Sequence, residues 1–322
     1  MPWVRTVSLA RVNSAQQWEK IMKFLEPKLV SYAAAILTVT IWAAYLLGTR
    51  YAVSSHFSVE EILILRIVPA TIILSPVMFK FGILPPKDTN IVGVFMLTVG
   101  ASALFPYFLS SALQFAPASD AGILAPGTLP FWAALSAFLL MGDRPNKIRQ
   151  VGLLCIIAGA LSIAIWEILL TSSNGTWQGH LMFMSAAAFW SVYSVYFKMS
   201  GLRPLPALSL GTFWASIALV IFIIFRGNAD FSGISINDIF TMALLQGVFV
   251  GLISTLLYSY AVTNLGPART GAVGALTPVL TLLGGWLFLG ESITANKLAG
   301  MILVTFGVML ASGVIKTPKR SV

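Results

Sequence analysis

Charge is scarce in this chain: Asp, Glu, Lys and Arg make up only 10% of its 322 residues, while 57% are apolar. A water-soluble domain of that length cannot hide so much apolar surface in one core, so lipid is implied as the solvent, and the mean hydropathy of +0.88 agrees. Cysteine is scarcer still. Cys155 stands alone in an apolar run, which excludes a disulfide framework or a cysteine metal site within one chain. Of the two histidines, His56 falls in a loop and His180 near a span end, so both are expected near the surface, and no deep acidic pair is visible. An enzyme embedded in a membrane needs clustered carboxylates, histidines or a metal. The sequence therefore points away from catalysis, with no metal and no cofactor expected. The 20 Lys and Arg residues against 11 acids could suggest a nucleic-acid partner, but they lie between apolar stretches and read as topology signals. The expected partners are a small-molecule solute and membrane lipid, with no nucleic acid, for a chain that can act as a monomer.

Residues 1–28 lack the short apolar core and small-residue cleavage site of a signal peptide, and are expected to stay cytosolic. Met22 opens a basic run directly before the first span and marks a second candidate start. Crossing a hydrocarbon layer of about 30 Å takes about 20 mostly apolar helical residues. Ten runs qualify, near 29–50, 61–81, 91–114, 119–141, 147–168, 178–198, 205–226, 237–263, 268–289 and 294–315. This arrangement puts sixteen of the 20 cationic residues on one side and Arg50, Arg226 and Lys297 on the other, with Arg66 inside a span. By the positive-inside rule both termini, including the tail 316–322, are expected in the cytosol. Trp166 and Trp177 flank the loop after the fifth span, where interfacial aromatics belong.

Sliding the chain against itself by 148 positions reveals a repeat. Trp42 meets Trp190, Tyr45 meets Tyr193, Pro130 meets Pro278, Gly142-Asp143 meets Gly290-Glu291, Gly152 meets Gly300 and Gly159 meets Gly307. Each unit, 29–168 and 178–315, holds five spans. An odd number makes the second unit enter the membrane with opposite orientation, so the expected fold is all-α, ten transmembrane helices as two inverted five-helix repeats. Two similar halves in opposite orientation can adopt two conformations of similar energy, one open to each face, which is the basis of alternating access.

The same residues carry a resemblance. Tyr258-Ser-Tyr260-Ala261, Gly266-Pro-Ala-Arg269, Leu276-Thr-Pro278-Val279, Phe288-Leu-Gly290-Glu291 and the Gly300 to Gly307 spacing resemble, in order, the signature of the drug/metabolite transporter superfamily and its ten-helix EamA-type members. Trp42, Leu65-Arg66, Ala112, Pro130, Gly142 and the Gly152 to Gly159 spacing fit more loosely, and Asp143 stands where that family usually has Glu. The resemblance covers nearly the whole chain after residue 28. It implies a carrier of the plasma or bacterial inner membrane, often an exporter of amino acids or related metabolites.

Ten residues are candidates for the substrate path. Pro130 and Pro278 lie mid-span, where proline removes an amide donor and kinks a helix; the loosened turn either shapes packing or offers carbonyls to a solute. Trp42 with Tyr45, and Trp190 with Tyr193, are three positions apart and share a helix face. They are packing residues on the plain reading and an aromatic cavity wall on the functional one. Tyr107, Tyr258 and Tyr260 are similar candidates. Arg66 either snorkels toward Glu60 or Glu61 or faces the cavity and attracts a carboxylate-bearing solute. Small residues such as Gly122, Ala125, Gly271 and Gly274, and the paired glycines at seven-residue spacing, read as close helix contacts. Asp143 and Glu291 read as helix-terminus or loop charges. Small multidrug relatives in the superfamily exchange protons on a first-span Glu. Here Leu29 to Arg50 holds no carboxylate, so facilitated diffusion is expected, with proton-coupled efflux or a non-transporting receptor as the alternatives.

Overall fold

Proline, glycine and serine punctuate the apolar runs, and in the computed structural model they bound a set of helices. The structure describes residues 27–84, 93, 95, 96, 98–170, 175–200, 202–227 and 229–314, and contains no strand among them. The first half comprises α1 (Pro27–Ser55), α2 (Val59–Phe81), α3 (Leu104–Phe115), α4 (Ala118–Leu124), α5 (Leu129–Met141) and α6 (Lys147–Leu170). The second comprises α7 (Thr176–Ser200), α8 (Pro204–Arg226), α9 (Ile236–Ala243), α10 (Thr255–Leu265), α11 (Pro267–Gly274), α12 (Leu276–Leu289) and α13 (Ala295–Ala311). π-helical segments at Thr98–Ala103 and Leu244–Ser254 lead into α3 and α10.

Seven of the described helical stretches are long and apolar enough to cross a membrane, and α13 is a shorter apolar helix. Gln178, His180, Ser185, Ser191 and Ser194 make α7 more polar, although its 25 residues suffice in length. Part of the expected span 91–114 lies outside the described residues, as do residues 1–26 and 315–322, where the sequence puts cytosolic ends.

Local chemistry sets the helix ends. Ser58 caps α2: its hydroxyl accepts from the Glu61 amide at 3.2 Å while the Glu61 carboxylate accepts from the Ser58 amide at 2.9 Å, a reciprocal capping box. The equivalent helices α5 and α12 stop at Gly142 and Gly290, with φ of 69° and 66°, a left-handed conformation open to glycine without steric cost.

The halves meet along α6 and α13. A Cβ built on Gly152 would fall 2.7 Å from the Gly307 carbonyl oxygen, and one on Gly307 would fall 2.6 Å from the Gly152 carbonyl oxygen; Gly159 faces Gly300 in the same way, at 2.8 Å. Reciprocal backbone contact of this kind is how helices associate in lipid, and only glycine permits it. Because backbone cannot swing aside as a side chain can, Gly307→Val should destabilise the protein by at least the ~1–3 kcal/mol of core overpacking, read as a lowered unfolding temperature in detergent. Gly271→Ala, whose new Cβ would make an ordinary 3.9 Å contact with Ser312 Cβ, should be close to neutral.

The two expected proline kinks take another form. The first break comes at Ala125, followed by a 3-10 turn at Pro126–Thr128, and Pro130 then sits in the opening turn of α5, where its missing amide costs nothing. The second break comes at Ala275, and Pro278 lies in the first turn of α12. The loosened carbonyl of Leu124 is taken by the Thr128 hydroxyl at 2.6 Å, leaving it committed within the chain.

Candidate functional site

A central cavity of about 510 Å³ opens between the halves, lined from the first by α1, α2, the segment into α3 and the Pro126–Leu129 break, and from the second by α7, α8 and the segment into α10. That is within the size range of small-molecule sites. Six of the ten candidates line it: Trp42, Tyr45, Arg66, Trp190, Tyr193 and Tyr258. Three-residue spacing brings Trp42 and Tyr45, and Trp190 and Tyr193, to the same space from opposite halves. The Trp42 indole N–H donates to Ser254 Oγ at 3.3 Å and its ring lies 5.4 Å from Tyr258. Trp190 lies 4.8 Å from Phe105 and 5.5 Å from Tyr193, which stacks on Phe197 at 6.0 Å.

Four candidates stand elsewhere. Tyr107 packs edge-on against Phe108 and against Phe222 of α8. Tyr260 is exposed, two residues along the helix from Tyr258 and so turned to another face. Pro130 and Pro278 do not reach the cavity; Pro126 lines it instead, one helical turn earlier. Sequence reasoning also missed Phe105, Ser254 and the π-helical segments. These segments overlap when superposed by the 148-residue shift, and they bring Ser102, Val250, Gly251 and Ser254 to the cavity. Extra width in a helix backbone recurs at functional sites, but its local sequence signal is weak.

Arg66 does not snorkel to Glu60 or Glu61. Both carboxylates are committed: Glu60 pairs with Arg226 at 3.4 Å, and Glu61 accepts from the amides of Ser58 and Asp230, each at 2.9 Å. The capping geometry that starts α2 therefore leaves Arg66 facing inward, 8% exposed, with its guanidinium carbon 5.0 Å from the Tyr45 ring centroid and 6.0 Å from Phe105. Its Nη1 has no hydrogen-bond partner among the described residues. Aromatic faces attract a cation without neutralising it, and an unpaired charge at mid-bilayer costs about 2.5–3.5 kcal/mol on insertion scales.

Near one end of the helices, buried polar contacts hold the halves together. Lys297 Nζ lies 2.8 Å from Asp120 Oδ1 and 3.2 Å from Ser119 Oγ, while His180 Nε2 lies 2.9 Å from Asp120 Oδ2. Asp120, His180 and Lys297 are 0%, 1% and 5% exposed, so the expectation of a surface His180 is corrected: a residue near a helix end is buried when three other helices converge on that end. Glu291 caps the start of α4 across the half boundary, accepting from the Ala118 and Ser119 amides at 2.7 and 2.8 Å, where a helix N-terminus favours a carboxylate. The Arg50 guanidinium donates to the Leu113 carbonyl on the same side. In the adjoining loop before α9, the Ser232 amide donates to Asp230 at 3.0 Å and holds that carboxyl below its ordinary range.

The opposite end is open. The lining runs from buried Tyr45 and Arg66 to exposed Lys198 and Thr263. Asp143, the repeat counterpart of Glu291, is exposed.

A polytopic helical membrane protein with two inverted five-helix repeats and a central cavity open to one face has the architecture of a secondary carrier. Comparison with known proteins agrees. The EamA-like transporter family model matches residues 29–165 and 177–313, and the chain belongs to that family. A Clostridium kluyveri protein named "Uncharacterized transporter" is 26% identical over 63% of this chain and 66% of its own length, just under two thirds of that relative. A Salmonella typhimurium protein named "Probable amino-acid metabolite efflux pump" is 25% identical over 63% of this chain and 70% of its own. A solved crystal structure at 20% identity aligns over 88% of this chain and 96% of its own with a TM-score of 0.55, and shows the fold alone.

Proposed function

We propose that the chain is a secondary carrier that moves a small metabolite, an amino acid or related compound, outward across a plasma or bacterial inner membrane by alternating access. The observation that carries this reading is the asymmetry of an otherwise symmetric molecule. Glu291, Asp120, His180 and Lys297 bind the halves together at one face, while the cavity opens toward exposed Lys198 and Thr263, and Asp143, the counterpart of Glu291, is exposed. An inverted repeat supplies the second state by exchanging which end is bound. The cationic bias favours the cytosol for the open face and for both termini. Export rests on the relative named as an efflux pump.

The wall of the cavity supports uncoupled movement, because among the described residues no Asp or Glu lines it. Purified protein in liposomes should equilibrate a labelled metabolite down its gradient. Accumulation driven by an imposed pH gradient would replace this reading with proton coupling, and absence of flux for a broad metabolite panel would leave a receptor or scaffold. Within the carrier reading, Trp42→Ala and Trp190→Ala should each lower flux several-fold while the protein stays folded, since a stacking aromatic contact is worth about 0.5–1.5 kcal/mol beyond its buried area. Unchanged rates for every transported compound in both variants would remove the aromatic wall from the path.

A further inference from the structure

We propose that the cavity selects an organic monoanion, one carboxylate on an apolar or aromatic body without a compensating ammonium, and that Arg66 is the counter-charge of that carboxylate. The inference rests on the carrier reading above and narrows its substrate class. Arg66 is nine-tenths buried and faces the cavity, and its Nη1 lacks a protein partner among the described residues. The two acids that could neutralise it from its own helix are held by Arg226, Ser58 and Asp230. The other deeply buried carboxylate, Asp120, is neutralised by Lys297 and His180 and does not line the cavity.

Among the described residues, the charged groups on the wall are thus two cations, Arg66 inside and Lys198 near the exposed end. A guanidinium offers a forked pair of donors that fits a carboxylate. A zwitterionic amino acid would bring an ammonium into the same space with no carboxylate among the described wall residues to receive it, and burying an unpaired charge is unfavourable. A phosphate ester would bring nearly two charges to one deep cation. The remaining wall, Trp42, Tyr45, Phe105, Trp190 and Tyr258, suits a ring or branched alkyl body. N-acylated and deaminated amino acids meet this description, and they keep the proposal within compounds related to amino acids.

Four probes share one ring and differ in charge: N-acetylphenylalanine, phenylalanine, phenylalaninamide and phenyl phosphate. Full-length protein in liposomes should take up N-acetylphenylalanine at least about tenfold faster than the other three, and the same order should appear in quenching of tryptophan fluorescence. Arg66→Gln should lose at least about tenfold in affinity for N-acetylphenylalanine, the scale of one charge-assisted hydrogen bond, while Arg66→Lys retains part of it. Thermal unfolding of both variants separates lost binding from lost folding, and the Lys variant keeps the test alive if the Gln variant does not fold. Equal or better binding of phenylalanine, phenylalaninamide or phenyl phosphate would overturn the proposal, as would a folded Arg66→Gln protein with unchanged affinity. Quenching by N-acetylphenylalanine without flux of any probe would uphold the anion site and count against the carrier reading alone.

Discussion

Replacing Lys297 by methionine should cost the folded protein about 3–5 kcal/mol, the usual penalty for removing one partner of a buried ion pair. The reason is specific to the site. Asp120 is 0% exposed and Lys297 lies 2.8 Å from it, so the variant leaves a carboxylate with His180 in surroundings that water does not reach. Asp120→Asn should be harmful for the mirror-image reason, stranding the ammonium of Lys297 beside Ser119. The double variant Asp120→Asn with Lys297→Met removes both charges together and should recover much of the loss, since a buried pair replaced whole is often near neutral. Thermal unfolding of the four proteins in one detergent forms a double-mutant cycle. Single variants that each lose under about 1 kcal/mol, with an additive double, would mean that the three buried groups contribute no more than a surface pair.

None of this network was legible in the sequence, and the reason is physical. Asp120, His180 and Lys297 are distant in the chain, each sits within a few residues of its helix end, and hydropathy measures depth along the membrane normal rather than burial among neighbours. The same blindness left Arg66 with two readings. A helical wheel offers Glu60 and Glu61 as neighbours within two turns, but the Ser58 capping box and Arg226 claim them first. Ser58 is local, three residues before Glu61, whereas Arg226 and Asp230 come from far along the chain.

What the sequence did disclose was everything governed by periodicity. The 148-residue offset predicted that Gly152 and Gly159 correspond to Gly300 and Gly307, and those residues meet reciprocally at the α6–α13 contact. It also paired Trp42 and Tyr45 with Trp190 and Tyr193, and all four line one cavity. The prolines show how a correct signal can be assigned to the wrong atom. Pro130 and Pro278 do mark breaks in both halves, but a proline is most comfortable in the first turn of a helix, so the irregular backbone falls just before each, and Pro126 is the residue that reaches the cavity.

Tethering the joined face should abolish transport nearly completely and reversibly. Ser119 on α4 and Gly285 on α12 belong to opposite halves, and a Cβ built on Gly285 lies 3.6 Å from Ser119 Cβ, within the separation a disulfide spans. In a Cys155→Ser background, which removes the lone native thiol, the Ser119→Cys/Gly285→Cys protein should cross-link on oxidation with the halves joined as they are here. The new Cβ also comes 2.5 Å from Glu291 Oε2, the movable end of a side chain, so the unoxidised protein should transport more slowly than the parent without being inactive. Oxidation should then reduce flux to the background of empty liposomes, and a reductant should restore it. Reopening of that face is the step alternating access requires and a static pore does not. Full flux through a quantitatively cross-linked protein would show that α4 and α12 need not separate, and the exchange of joined ends between the two repeats would have to be abandoned.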